Sequence, residues 1–273
     1  GLSAAQALKA RLDAAGIRLQ TAPDLLDAIW PDRPALPTQP VYEHAAPQAT
    51  RSRAEKLARV REAMARHGAN RHFVSTVDDI AWITNLRGSD VEYNPVFLAH
   101  LLLDLGGGQL FVGEGKVDAA LQAQLAADGL RVMPYAAAGP ALSALGADDV
   151  LLLDPKRVTL GFRERVGGGC RVVEDINPST LLKSRKTEAE AAFIREAMAE
   201  DGAAMCEFYA GFEAALERGE RWSELTVDER LSAARARRPG FVGLSFSTIA
   251  AWQANGAMPH YRAAALAGAC AFR

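Results

Sequence analysis

Between residues 52 and 173, short runs rich in apolar and β-branched side chains alternate with stretches of helical spacing. No other feature of the chain constrains its fold as much. An apolar run of strand length needs neighbouring strands for its backbone groups, and an amphipathic helix needs an apolar face to cover. The alternation therefore predicts a mixed sheet flanked by helices, an α/β domain over about residues 50–180.

The individual segments follow from the same logic. Residues 52–67 read as a charged amphipathic helix with Leu57, Val60 and Met64 on one side. Residues 72–77 are a strand by β-branched content, and Asp78 or Asp79 can cap a helix over 80–86 that Gly88 ends. Residues 95–105 form a mostly apolar strand, Gly106–Gly108 a turn, and residues 109–112 the returning strand of a hairpin. Residues 116–128 are helical, with Val117, Leu121 and Leu125 at four-residue steps. Residues 130–134, 150–153 and 171–173 supply further strands.

Upstream, Ala5, Leu8, Leu12 and Ile17 recur near helical spacing, with Gly16 as the stop. Asp24 reads as the cap of a short helix over 25–30, which Pro31 and Pro34 end. Five prolines (Pro31, Pro34, Pro37, Pro40 and Pro47) then hold the chain extended, as a linker or surface strap.

Downstream the pattern changes at Thr187. Thr187–Glu190 has capping-box form, and one long helix follows to about Arg218, with Phe193, Ala197, Met205, Phe208, Phe212 and Leu216 on or near one face. A second capping box, Thr226–Glu229, predicts a helix to about Arg238, stopped by Pro239 and Gly240. Residues 242–252 look strand-like, Asn255-Gly256 signals a tight turn, and residues 257–261 read as the returning strand.

Composition excludes several classes. Charged residues are 23% and apolar residues 49%, the mix of a soluble globular chain. A formal net charge of −2 gives no basic footprint for nucleic acid, and the Arg-rich stretches 51–61 and 235–238 carry helical spacing and read as solvated helix faces. No apolar run reaches the length of a membrane span, so no membrane association is expected. Cys170, Cys206 and Cys270 are odd in number and widely spaced, which fits neither a zinc knuckle nor a redox pair and suits a reducing cytoplasm.

Chemistry-bearing patterns are few. The Gly triplets at 106–108 and 167–169 lack the spacing of a phosphate loop and read as turns. The chain has neither a Gly-x-Ser-x-Gly elbow nor a His-Glu-x-x-His motif. Of five histidines, His44, His67, His72 and His100 read as surface or satisfied core residues. His260 stands apart, at the base of the expected hairpin, where a strand could aim its imidazole into a cleft for proton donation or acceptance.

Four segments carry a family likeness. Asp27–Pro34, Trp82-Ile-Thr-Asn-Leu-Arg-Gly-Ser-Asp-Val-Glu-Tyr-Asn-Pro-Val-Phe97, Leu181–Glu190, and Phe241–Ile249 followed by Asn255-Gly-Ala-Met-Pro-His-Tyr261 resemble, in order, the long, three-domain Xaa-Pro aminopeptidases (aminopeptidase P) of the creatinase/prolidase superfamily. The resemblance implies a creatinase-like α/β domain followed by the truncated start of a pita-bread catalytic domain. The expected division is residues 1–49 as the end of a first creatinase-like domain plus the proline-rich linker, 50–180 as the second creatinase-like domain, and 181–273 as the incomplete peptidase domain.

It further implies a hydrolase that removes the N-terminal residue of peptides with proline second, using two divalent ions, usually Mn2+, held by two Asp, one His and two Glu. His260 matches the family histidine that hydrogen-bonds substrate and steadies the tetrahedral intermediate, which makes it both the catalytic and the substrate-binding candidate. No other catalytic residue has a counterpart. Residues 262–273 contain no Asp, Glu or His, so the metal-ligand region is expected to be missing, no metal is expected on this chain, and the chain alone is expected to be inactive. The expected partners are proline-containing peptides and a second copy in a homodimer. Two alternative readings are a non-catalytic dimerisation or partner-binding module, and a relative of creatinase, which uses histidine chemistry without metal.

Overall fold

The computed structural model describes residues 1–21 and 25–264. They divide into two units, one of residues 1–91 and 95–186, the other of residues 92–94 and 187 onward. The Asp24 cap and Cys270 lie outside the described residues.

The first unit begins with α1 (Leu2–Ala14), followed by α2 (Leu25–Ile29) and the short β1 (Tyr42–Glu43). Next come α3 (Arg53–Arg66), β2 (Arg71–Val74), α4 (Val77–Thr84), β3 (Leu86–Arg87), β4 (Ala99–Asp104), β5 (Gly108–Val112), α5 (Ala119–Ala127) and β6 (Leu130–Pro134). α6 (Ala138–Ser143), β7 (Val150–Leu153), α7 (Leu160–Glu164), β8 (Arg171–Glu174) and α8 (Pro178–Ser184) complete it.

Six strands form one sheet in the order β6-β5-β4-β2-β7-β8, while β1 and β3 pair separately, antiparallel. β4 runs antiparallel to both its neighbours, and every other pairing in the large sheet is parallel. The sequence of β4 explains its central place. Leu101 and Leu103 point into one core and Leu102 into the other, so the strand is apolar on both faces and needs cover on both. On the first face lie Leu57, Val60 and Met64 of α3, Ile80 and Ile83 of α4, and Leu121 and Leu125 of α5. On the second lie Leu2 of α1, Leu142 of α6 and Phe162 of α7.

α3 starts with the full capping box: the Glu55 amide donates to Ser52 Oγ at 3.2 Å, and the Ser52 amide donates to the Glu55 carboxylate at 2.7 Å. The hairpin at Gly106–Gly108 is closed by Asp104 Oδ1, which accepts from the Gly106 and Gly107 amides. At Gly167 a Cβ would stand 1.9 Å from the Leu145 carbonyl oxygen, so the second glycine triplet permits close backbone packing.

Several expected boundaries shift in this unit; the helix read from residue 116 begins only at Ala119, behind the Asp118 cap. β2 stops at Val74, because Val77 already belongs to α4. α4 ends at Thr84 and not near Gly88, since Asn85 takes the left-handed conformation at φ 53° and the chain continues as β3. The strand read from residue 95 begins only at Ala99, because the Leu98 amide donates to Asp90 Oδ2 at 2.7 Å outside any ladder and Pro95 has no amide to offer.

The second unit opens with α9 (Glu188–Glu217), capped by the predicted Thr187–Glu190 box. Its apolar face is buried from Ala204 onward, where Phe208 and Ala215 pack with Trp222 and with Val227, Leu231 and Ala234 of α10 (Glu224–Ala236). Arg235 of α10 pairs with Asp201 of α9 at 2.6 Å. α10 starts three residues earlier than the Thr226 box predicts, because Ser223 is its N-cap. The expected hairpin is not formed: residues 241–264 hold one 3-10 turn, Gln253–Ala257, and no strand among the described residues. Strand-forming side chains do not make a strand without a ladder partner, and here side-chain anchors fix the segment in another shape.

Candidate active site

The principal anchor is Glu224. It is the first residue of α10, following the Ser223 cap, so its carboxylate sits at the positive end of the helix dipole. The residue is 1% exposed, and a carboxylate that deep needs donors. Oε1 accepts from the Trp252 amide at 2.7 Å and from Asn255 Nδ2 at 3.2 Å. Oε2 accepts from Asn255 Nδ2 at 3.2 Å and from the Tyr261 hydroxyl at 2.7 Å. Asn255 Nδ2 also lies 3.1 Å from the Tyr261 hydroxyl oxygen. One side chain thus ties down both ends of the stretch 252–261.

His260 sits inside that stretch. The Tyr261 amide donates to the Met258 carbonyl at 3.1 Å, closing a turn that contains Pro259 and His260, and the imidazole is exposed. The residue therefore lies on a fixed turn and not on the hairpin strand expected for it. Just beyond, Arg262 Nη2 donates to the Tyr93 hydroxyl at 3.1 Å and lies 3.6 Å from Glu92 Oε1; Glu92 and Tyr93 group with this unit. An exposed imidazole one bond from an anchored tyrosine can donate to or accept from a bound molecule with little reordering.

The other histidines sit in the first unit. His72 is fully buried on β2, with Nδ1 3.0 Å from the Leu152 carbonyl oxygen, and burial pulls its pKa down to about 4. His100 on β4 is likewise held down to about 4 by burial, and its Nδ1 lies 3.0 Å from Ser75 Oγ. His67 bridges the Ala63 carbonyl and Asp175. His44 is half-buried, and burial, then Arg87 and Lys56, lower its pKa.

Three residues of the Trp82–Phe97 motif, Asp90, Asn85 and Trp82, are engaged by the buried lysines Lys116 and Lys56. Lys116 Nζ meets Asp90 Oδ1 at 2.5 Å and Oδ2 at 2.7 Å, with the two side chains 2% and 0% exposed, and it also donates to the Pro37 carbonyl at 3.2 Å. Lys56 Nζ lies 2.5 Å from Asn85 Oδ1 and 4.6 Å from the Trp82 ring centre. Asp79 accepts from Thr76 and Thr180 and pairs with Lys183 at 3.1 Å, which docks α8 on α4. These are fastenings of the fold, not a reaction centre.

Among the described residues no three His, Cys, Asp or Glu side chains come together in a way that could hold a metal ion. The described residues do not fit the di-metal centre that the resemblance implies, and no chemical step is derived through it. Sequence reasoning missed Glu224 as the organiser of the site. Its signal was the Ser223-Glu224 pair after Trp222, a cap followed by an acid at a helix start, which the Thr226 box overshadowed.

A six-stranded mixed sheet covered by helices on both faces, joined in sequence to a long capped helix and an anchored His-bearing loop, defines a two-part α/β protein. Residues 32–190 match the Creatinase/Prolidase N-terminal domain, and residues 192–268 match Metallopeptidase family M24. This chain belongs to the creatinase/prolidase N-terminal domain family. It is 31% identical over 250 residues to a Neurospora crassa protein named "Probable Xaa-Pro aminopeptidase P", covering 88% of this chain and 36% of that protein. A protein of the same name from Arthroderma gypseum is 34% identical over 251 residues, covering 88% and 39%. The crystal structure of the X-prolyl aminopeptidase of Caenorhabditis elegans, described as a cytosolic enzyme with a di-nuclear active site, superposes with a TM-score of 0.92 at 25% identity, over 99% of this chain and 45% of that one. The chain spans less than half the length of these relatives.

Proposed function

We propose that this chain is the portion of an Xaa-Pro aminopeptidase that carries its creatinase-like domain and the substrate-side loop of its peptidase domain. In this reading residues 1–49 are the end of a preceding domain and its strap, 50–180 the creatinase-like domain, and 181–273 the beginning of the catalytic domain. The whole protein would remove the residue before a penultimate proline in the cytoplasm; two divalent ions, manganese by preference, would supply Lewis-acid chemistry there, held by residues other than the described ones. The observation that carries the proposal is the Glu224 anchor, which holds Asn255 and Tyr261 and leaves His260 exposed between them. His260 then hydrogen-bonds the substrate carbonyl and steadies the tetrahedral intermediate.

A histidine acting as general acid or base supplies roughly two to four orders of magnitude, and water without a Lewis acid is far too weak an acid to supply hydroxide at neutral pH. The isolated chain is therefore inert and retains no metal. The test is to mix the mass-verified chain with manganese and an Xaa-Pro tripeptide and follow release of the N-terminal residue. No release is expected, and metal-dependent turnover would overturn the inert reading. In the full-length protein, His260→Ala lowers kcat by about 10²-fold or more, and an unchanged kcat removes His260 from the mechanism.

A second reading, a non-catalytic dimerisation or partner-binding module, draws on Ile194 and Met198 of α9, which are 48% and 62% exposed. Sedimentation decides it: a strictly monomeric chain counts against this reading, and a homodimer counts for it.

A further inference from the structure

The large sheet has a switch in its connections. β2, β5, β6, β7 and β8 all run one way, and β4 alone runs against them in the middle. On one side of β4 the chain moves outward from β5 to β6, and on the other from β7 to β8. In open α/β sheets, ligands sit outside the carboxyl ends of the strands, where the connections part in opposite directions. Here that place is occupied by a cavity of about 470 Å³, within the size range of small-molecule pockets.

Its walls come from the expected loops. Tyr135 follows the carboxyl end of β6, Thr159 and Phe162 lie in the crossover after β7, and β4 contributes His100 from its amino end. The His100 ring is 4.8 Å from the Tyr135 ring and 4.6 Å from the Phe162 ring, which makes an aromatic wall. Ser75, just past β2, takes Nδ1 of that imidazole, so Nε2 is left for another partner. Burial keeps the imidazole neutral at physiological pH.

At the rim stands Arg165, seated over Gly139, where a Cβ would come within 2.5 Å of its Nη1. It forms no ion pair among the described residues, whereas Arg53 and Arg71 of the same unit do. An aromatic wall beside an unpaired guanidinium is complementary to one kind of molecule.

We propose that this cavity is a binding site for a small aromatic carboxylate, its ring against His100, Tyr135 and Phe162 and its carboxylate on Arg165. The site lies wholly within the first unit and does not rest on the aminopeptidase reading.

The probe is 4-fluorophenylacetate, titrated into the whole chain and followed by fluorine NMR and by amide shifts in the ¹H–¹⁵N spectrum. Saturable binding is expected, with the largest shifts around Tyr135 and Phe162. The neutral analogue 4-fluorophenylacetamide should bind about tenfold more weakly, the size of one charge-assisted hydrogen bond. Arg165→Gln should weaken the acid by a similar factor and leave the amide unchanged. Equal affinity for acid and amide, shifts confined to another region, or no binding at about 10 mM would each overturn the proposal. Inorganic phosphate competing as well as the aromatic acid would overturn the aromatic part. Arg165 is exposed, so its variant should fold; the acid-to-amide ratio on the parent chain decides the matter even if it does not.

Discussion

The β-sheet of the first unit and the loop 241–264 of the second are both rich in strand-forming residues, yet only one of them is sheet. Phe73, Leu101 and Leu152 sit in strands with a partner on each side, and all three are fully buried. Val242, Phe246 and Ile249 have comparable propensity but no ladder, and they are 74%, 63% and 52% exposed. Propensity is thus realised only where partner strands close the hydrogen-bond account and helices cover the face. What fixes the loop is polar: one buried carboxylate instead of a core.

That contrast predicts a large difference in protection. Residues 241–264 have few buried apolar contacts and few backbone hydrogen bonds, so a nonspecific protease at low dose should nick there well before it cuts the sheet. Mass mapping of the first fragments checks this. First cuts within 99–112 would show that the comparison is the wrong way round.

A second test acts inside the sheet unit. Lys116→Met removes one partner of a buried pair and leaves the Asp90 carboxylate uncompensated, which should cost about 3–5 kcal/mol in denaturant unfolding. Adding Asp90→Leu should restore much of that loss, because replacing both partners by apolar groups can be nearly neutral. If the double change is no better than the single one, the backbone contacts of Asp90 with Leu98, and not its charge, hold the motif.

Acid sharpens the comparison by a different route. His72 and His100 belong to the sheet unit, and burial lowers both to about 4 from an ordinary 6.5. Between those values the unfolded chain binds more protons than the folded one, so stability is fully present above about pH 6.5 and falls as pH drops toward 4. Each histidine contributes a slope of at most about 1.4 kcal/mol per pH unit within that window. Urea unfolding at stepped pH checks the sign. His72→Gln should flatten the slope, and a profile without a rise between pH 4 and 6.5 would contradict the burial argument.

How much of this was legible in the sequence differs by the range of the interaction. The runs at Leu130–Pro134 and Val150–Leu153 and the capping box at Thr187 are local, and the residues themselves specify them. Strand order is not local. Nothing within β4 announces that it runs against its neighbours, because an apolar run suits either direction. The pairing of Asp90 with Lys116 spans 26 residues, and the gathering of Asn255 and Tyr261 by Glu224 spans 31 and 37, so neither has a spacing signature. The mistaken hairpin has the same origin: Asn255-Gly256 is a strong turn signal, but the turn closes on a carboxylate and not on a second strand. Family likeness pointed to His260, and only the structure showed the Glu224 hydrogen bonds that anchor its loop.

The smallest expected effect tests that reason. Glu224→Gln keeps the size of the side chain but turns one acceptor into an amide donor, facing groups that themselves donate: the Trp252 amide, Asn255 Nδ2 and the Tyr261 hydroxyl. The better arrangement keeps the glutamine oxygen on the Trp252 amide and Asn255 and turns the Tyr261 hydroxyl to accept from the new amide, so the bonds to the loop lose their charge assistance in a site that is 1% exposed. The cost should be about 1–2 kcal/mol, confined to the loop, because α10 keeps its Ser223 cap and its packing on α9. Hydrogen exchange reads it directly: the Trp252 amide should exchange about ten times faster, while amides in β2 and β4 stay unchanged. If Trp252 keeps its protection, the backbone turns around Asn255 and Met258 hold the loop without help, and Glu224 is a passenger in the placement of His260.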